Sequence, residues 1–375
     1  MVVDPVILAG FGPPPSGLDL SASNVSVNNG AVIAMLCLAS VAVILRFTAR
    51  IILRNALMYD DWAIIAALIF IGATTGISIA GGNVGSGRHI WAVSVEDLMA
   101  LYRLLFSYTF LYASSCTCIR ISILFFYKRI FSPLEPSMKI ILAVAGFITL
   151  SYPIIIWVTM ATSCKPVSFF WTQFSGTQGT CINITSFFLA LGIINMLNDF
   201  FLLTLPFPRF IKLQMTVRKK VAICGIMAVG AFVCVASIVR IYYLRKFMST
   251  ADVTWLMGPV FIWSTIEPSV GVVCACLPHF APLARIAHRS ISSGYHSRQA
   301  TGGQSENRQW PSHKYNSKQY ASNRMNKGTD DDEIGLTNYV TTGVGDGYKQ
   351  LSEENVARIT VQSTFKQDSK AKESP

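Results

Sequence analysis

Seven stretches of this chain are apolar over more length than a soluble core can hide, and they limit what it can fold into. A helix needs roughly 20 apolar residues to cross a bilayer, where no water satisfies the backbone N–H and C=O groups. The stretches lie near 31–53, 62–82, 98–127, 138–162, 185–207, 220–243 and 255–277. The third is longer than a bilayer requires and is expected to tilt or project beyond it. Composition agrees: 52% of the 375 residues are hydrophobic and 14% are charged, against about 25% charged in a typical soluble domain. The mean hydropathy is +0.45. The expected fold is all-α, a polytopic membrane protein in a lipid bilayer. A short N-terminal segment (1–30) precedes a seven-transmembrane helix bundle (31–285), and a disordered tail (286–375) follows it.

Lys and Arg placement predicts the direction of the bundle. One set of connections holds Arg46, Arg50, Arg54, Lys128, Arg129, Lys139, Arg209, Lys212, Arg218, Lys219 and Lys220. The other set holds only Arg88, Lys165, Arg245 and Lys246. The first set is expected in the cytoplasm, which puts the N-terminus outside and the C-terminus inside. The net charge of +11 therefore reads as a topology signal, and no nucleic-acid partner is expected. Two N-glycosylation sequons, at Asn24 and Asn183, fall on the predicted outer side. Asn24 is the better acceptor, since Asn183 lies close to the start of the fifth span. No basic n-region precedes the first span, so no cleaved signal peptide is expected.

Of nine cysteines, seven lie inside spans, where small apolar packing accounts for them. Cys164 and Cys181 bracket an outer connection and are expected to pair in an oxidising compartment, a closure worth on the order of 3 kcal/mol. No Cys/His spacing of a zinc site is present, and no metal is expected. After Arg289 the chain is rich in Ser, Gln, Asn, Gly and Lys and cannot bury enough surface to fold alone. Between Pro278 and Ile291 two readings stay open, an amphipathic segment on the inner leaflet or a plain exit linker.

An ionisable group near a bilayer centre costs roughly 2.5–3.5 kcal/mol on insertion scales and normally finds a partner inside the bundle. Five such groups stand out: Arg103, Arg120, Asp199, Arg240 and Glu267. Arg103 and Arg240 lie near the outer ends of their predicted spans, so that snorkelling to the headgroups competes with a functional role. Asp199 shares a helical face with Asn195 and follows Asn198 directly. Arg120 and Asp199 sit at similar depth and are expected to interact, either as a latch or as a static bridge. Glu267 lies near the middle of the last span, directly before Pro268, with Trp263 four residues earlier. Ligand contact, protonation switching and structural bonding all stay open for it. The glycine pair Gly72 and Gly76 has the spacing of close helix packing, with packing inside the bundle its expected use. The glycine-rich segment 81–87 follows no strand, which removes a nucleotide-phosphate reading.

An ordered series of motifs resembles the fungal rhodopsin-domain family of seven-helix membrane proteins. Asp60-Asp61-Trp62 opens the second span, and the segment from Ile121 through Tyr127 and Arg129 to Phe131 closes the third. Cys164, Pro166, Trp171 and Cys181 follow in the outer connection. Asn198-Asp199, Pro206, Pro208 and Arg218-Lys219-Lys220 come next, then Ser237 to Arg240, Trp263, Glu267 and Cys276-Leu277-Pro278. Arg120 stands where the family usually has Lys, and no cysteine-rich domain precedes the first span. The resemblance covers roughly residues 31–285. It implies a receptor-like, multi-pass protein of fungal membranes, most naturally the plasma membrane, that responds to an unknown extracellular ligand. Contacts with that ligand are expected from Arg103, Trp157, Trp263 and Glu267. The connection 209–220 is the expected surface for a cytoplasmic partner, with a G protein suggested by analogy alone. The alternative is a transporter or channel using midplane Glu267 at an interrupted last span. An enzyme is not expected, since the spans hold no His pair, HExxH or nucleophile elbow. Retinal is not expected as a cofactor either, because the last span has no lysine for a Schiff base.

Overall fold

The computed structural model describes residues 3–131, 136–207 and 217–299. Pro208, most of the connection 209–220 and residues 300–375 of the expected tail lie outside them. Seven helices are long and apolar enough to cross a membrane: α2 (Val25–Ile52), α3 (Tyr59–Asn83), α4 (Val95–Phe131), α5 (Pro136–Thr162), α7 (Ile184–Thr204), α8 (Val217–Ser249) and α9 (Val253–Gln299). Short α1 (Pro5–Phe11) precedes them, and α6 (Phe169–Thr172) sits in the α5–α7 connection.

Sequence neighbours pack side by side, α2 on α3, α3 on α4, α4 on α5, α7 on α8 and α8 on α9. The last helix returns to α2 and also touches α3 and α4, which closes the ring. α4 and α9 are the most buried spans, so side chains on their facing surfaces form the centre of the molecule. One cluster, with Trp91, Leu98, Tyr108, Met257 and Phe261, fills one end. Another, with Ile64, Ile71, Ile119, Val272 and Cys276, fills the other. The outward faces carry Ile44, Ile69, Phe147, Ile154, Phe200 and Val235 in the open. A soluble monomer rarely exposes so large an apolar surface, and a bilayer solvates it.

Between α5 and α7, the strand β1 (Cys164–Lys165) pairs antiparallel with β2 (Thr180–Cys181), placing Cys164 opposite Cys181. The two form a disulfide. Phe170 from α6 is buried beside Ile156, Met160 and Leu191, which anchors this connection on the bundle. α1 folds over the same end. Asp4 accepts from the Val6 N–H at 3.0 Å and Pro5 opens the helix, the favoured first position for a residue without an N–H. Gly12, with φ of 79°, ends it. Ile7 is buried in the cluster around Trp91 and Phe261, and Trp91 Nε1 donates to Gly12 O at 2.8 Å. The segment 1–30 is thus partly ordered against the bundle.

Two sequence expectations change. Gly72 and Gly76 face open space rather than a neighbouring helix, since no atom lies within 4 Å of a Cβ built on either. Close helix approaches fall at Gly258, where a Cβ would overlap the Asn28 amide of α2, and at Gly230, where one would overlap the Leu203 side chain of α7. The last helix is not interrupted at Pro268: it runs through Pro268, Pro278 and Pro282 to Gln299. No glycine occurs between Ala281 and Ser293 to end it.

Candidate functional site

Four spanning helices deliver one connected polar network to the middle of the bundle. On α4, Tyr112 and Arg120 lie eight residues apart and so face the same side. On α7, Asn195 and Asp199 are one turn apart, and on α8 so are Ser237 and Arg240. α9 contributes Glu267. Arg240 Nε donates to Glu267 Oε2 at 2.7 Å, and Tyr112 Oη donates to the same oxygen at 2.9 Å. The other Glu267 oxygen accepts from Asn195 Nδ2. Asn195 Oδ1 in turn accepts from Arg120 Nη2 at 2.7 Å. Arg120 reaches Asp199 Oδ1 through Nη2 at 2.8 Å and through Nε at 2.9 Å. Ser237 Oγ closes the series on Asp199 Oδ2 at 3.2 Å. Asn195 is the hinge of this arrangement, because its amide donates to one ion pair and accepts from the other.

Two guanidinium groups face two carboxylates, so the network is formally neutral, as burial of ions requires. Arg240 also lies over the Tyr112 ring at 4.9 Å and Arg120 over the Tyr152 ring at 5.3 Å. Both carboxylates are held by arginine. The arrangement ties α4, α7, α8 and α9 together through side chains. Arg120 Nη1 has no partner among the described residues, and Arg120 lines a cavity of about 60 Å³ with Cys116, Asp199, Glu267, Pro268 and Gly271. A water needs roughly 10–15 Å³ of such space, so the cavity has room for water beside Arg120.

The structure scatters the four residues expected to contact a ligand. Only Glu267 faces the centre. Arg103 is exposed and lies over the Trp171 ring at 5.9 Å. Trp157 is 42% exposed on the outward face of α5, because the buried face there is set by Tyr152, Ile156 and Met160. Trp263 is half-buried and stacks on Tyr243 of α8 at 6.4 Å. Arg240 does not snorkel. The predicted span ended at 243, whereas α8 continues to Ser249, and Arg240 therefore lies deeper than counting from 243 suggests. The setting of Glu267 is polar, made so by Arg240, Tyr112 and Asn195. Asn198 is buried, but its Nδ2 has no partner among the described residues.

The end opposite the disulfide carries a second ionic cluster. Arg46, 1% exposed, donates to Asp60 Oδ2 at 2.5 Å and Asp61 Oδ1 at 2.8 Å. Its Nη1 donates to Ala275 O at 2.8 Å. Arg50, one turn on, reaches Asp60 at 3.0 Å and Asp61 at 3.1 Å. Asp61 also accepts from the Met58 N–H at 3.0 Å, which secures the start of α3. Trp62, from the same motif, is exposed. Pro206 is buried just past α7, Tyr127 is half-buried, and Arg129 is an exposed residue with its guanidinium over the Phe126 ring at 5.5 Å. Sequence reasoning treated Arg46 and Arg50 only as topology charges. Their spacing of four, followed by two adjacent aspartates, was the available signal. Tyr112 had none, standing among several tyrosines and phenylalanines of the same span.

Asn24 precedes α2 with its side chain free of any capping bond. Asn183 caps α7, its Oδ1 accepting from Ser186 N at 3.0 Å.

Seven apolar helices around a buried ionic core define a polytopic helical membrane protein. The fungal rhodopsin domain matches residues 45–286, and the chain belongs to that family. Among curated relatives, a SAT4 family membrane protein of Emericella nidulans is 31% identical over 212 residues, 54% of this chain and 51% of its own length. The polyenoic acids biosynthesis gene cluster protein Ba17b of Metarhizium anisopliae is 26% identical, covering 73% of this chain and 76% of its own length. A protein of Arthrobotrys oligospora named receptor GIN3 is 25% identical, covering 68% and 64%. The chain thus spans about half the length of the Emericella relative. No solved structure matches it.

Proposed function

We propose that this chain is a receptor-like protein of the plasma membrane in which the buried network is the switch between two helix packings. The observation that carries this reading is that Asn195 joins the Arg240–Glu267 pair to the Arg120–Asp199 pair across α4, α7, α8 and α9. Packed cores with discrete polar pairings are bistable rather than continuously deformable, and a shift at one pair must be answered at the other. The named receptor among the relatives favours the same class. The disulfide end, covered by α1, faces outside and receives the cue. The Arg- and Lys-rich end faces the cytoplasm and presents the connection 209–220 to a partner, for which a G protein is the first candidate. Nucleotide exchange by fungal Gα subunits in vesicles tests this. Exchange that rises with the wild-type protein and changes with Asn195→Leu supports the switch. Exchange unaffected by either across a panel of subunits removes G-protein coupling.

A second reading, transport or conduction past Glu267, is favoured by the cavity that Arg120 and Glu267 line. Substrate-driven flux lost on Glu267→Gln is the result that would carry it. Neither reading uses retinal, since α9 has no lysine along its length.

A further inference from the structure

The ionic cluster opposite the disulfide borders a cavity of about 340 Å³ between the ends of α2, α4 and α9, with Arg50, Asn55, Met58, Phe126, Arg129 and His279 among its walls. Among the described residues here, Arg46 and Arg50 pair with Asp60 and Asp61, and Arg129 beside His279 adds a third positive charge. Two of the polar groups on the cavity wall are nine-tenths buried and incompletely used: Arg50 Nε and His279 Nδ1 have no partner among the described residues. Arg50 Nη2 and Arg129 Nη2 both lie 3.4 Å from His279 Nε2. Guanidinium nitrogens only donate, so Nε2 accepts and the neutral ring carries its proton on Nδ1. The wall therefore offers unused donors, Arg50 Nε–H and His279 Nδ1–H, beside the guanidinium of Arg129.

Asp60, Asp61 and His279 also lie close enough together to suggest a cation site. Arg46 and Arg50 already occupy both carboxylates and bring two positive charges there, which opposes a metal ion. The chemistry that complements donors and excess positive charge is an anion with several acceptor oxygens. The first turn of α3, next to the cavity wall at Met58, exposes Tyr59 and Trp62. Exposed Tyr and Trp mark the level of the lipid headgroups.

We propose that this cavity is a phosphate-binding site, taking the phosphate monoester of an anionic lipid headgroup or free phosphate, with Arg50, Arg129 and His279 as its donors. The site stands on this geometry alone and does not depend on the receptor reading.

The test uses the full chain purified in a neutral detergent, with thermal unfolding followed as ligand is titrated. The probes are a short-chain phosphatidylinositol 4-phosphate, the phosphatidylcholine of equal chain length, and inorganic phosphate. Arg129→Gln and His279→Gln are compared with wild type. Arg129 is outside the Arg46–Asp60 pairing, and the ligand-induced rise of each variant is read from its own unliganded midpoint. A midpoint raised by the phosphoinositide but not by phosphatidylcholine, with about tenfold weaker apparent affinity in each variant, supports a headgroup site. The same variant-sensitive rise with inorganic phosphate assigns the site to free phosphate. No rise with either anion overturns the proposal, and so does a rise that both variants leave unchanged.

Discussion

Arg240 and Glu267 are paired where neither ion could stand alone. Removing one partner of a buried pair leaves the other uncompensated, which typically costs about 3–5 kcal/mol, whereas replacing both with apolar groups of similar size is often neutral. Glu267→Gln should therefore lower the thermal midpoint in detergent sharply, and Arg240→Met with Glu267→Met should recover most of it. A double variant that falls by the sum of the single losses would show that the two side chains are not coupled. At Gly258 the argument is steric. Gly258→Ala drives a methyl into the Asn28 amide, and overpacking of this kind costs about 1–3 kcal/mol. Asn28→Ala in the same chain should relieve the clash, as measured by the same unfolding assay. Some of these residues are legible in the sequence. Asn195 and Asp199, one turn apart in an apolar span, must share an inward polar face, and Arg120 is the basic group at their depth. The depth of Arg240 was not legible, because it depends on where α8 ends. Charged Arg245 and Lys246 hide the continuation of that helix to Ser249.

Two elements at the disulfide end behave as separate units of stability. The 164–181 link closes a loop of sequence separation 17, whose removal costs on the order of 3 kcal/mol in the chain-entropy model. Cys164→Ser with Cys181→Ser should lower the midpoint as far as reductant lowers that of wild type, and reductant should then have no further effect on the variant. Helix α1 is too short to be stable by itself and depends on Ile7 and on the Trp91 bond to Gly12. Ile7→Ala should release α1 without unfolding the bundle, as local opening allows. Hydrogen exchange over residues 6–12 should quicken while α4 and α9 keep their protection. Loss of protection throughout would instead make α1 part of the cooperative core. The seven spans were legible because length and apolarity are properties of each segment by itself. α1 was not, since a seven-residue helix has no such signal and exists only by its contact with Trp91 and Phe261.

At the scale of the whole molecule, the remaining question is which end faces the cytoplasm, and charge and covalent chemistry bear on it independently. Lys and Arg crowd the connections after α2, α4 and α7, and basic connections resist translocation. That bias predicts Asn24 and Asn183 outside, where the glycosylation machinery would reach them. Their local structures then separate them. The Asn183 side chain is engaged as the cap of α7, and modification there competes with helix initiation. Asn24 makes no capping bond, so its amide is the freer acceptor. The expected outcome is a glycosidase-sensitive shift in gel mobility that Asn24→Gln abolishes and Asn183→Gln leaves in place. A C-terminal epitope should stay inaccessible to antibody until the cells are permeabilised. An accessible C-terminal epitope in intact cells, with no glycan at either site, would invert the bundle. The phosphate cavity would then face the opposite leaflet, and the connection 209–220 could no longer meet a cytoplasmic partner.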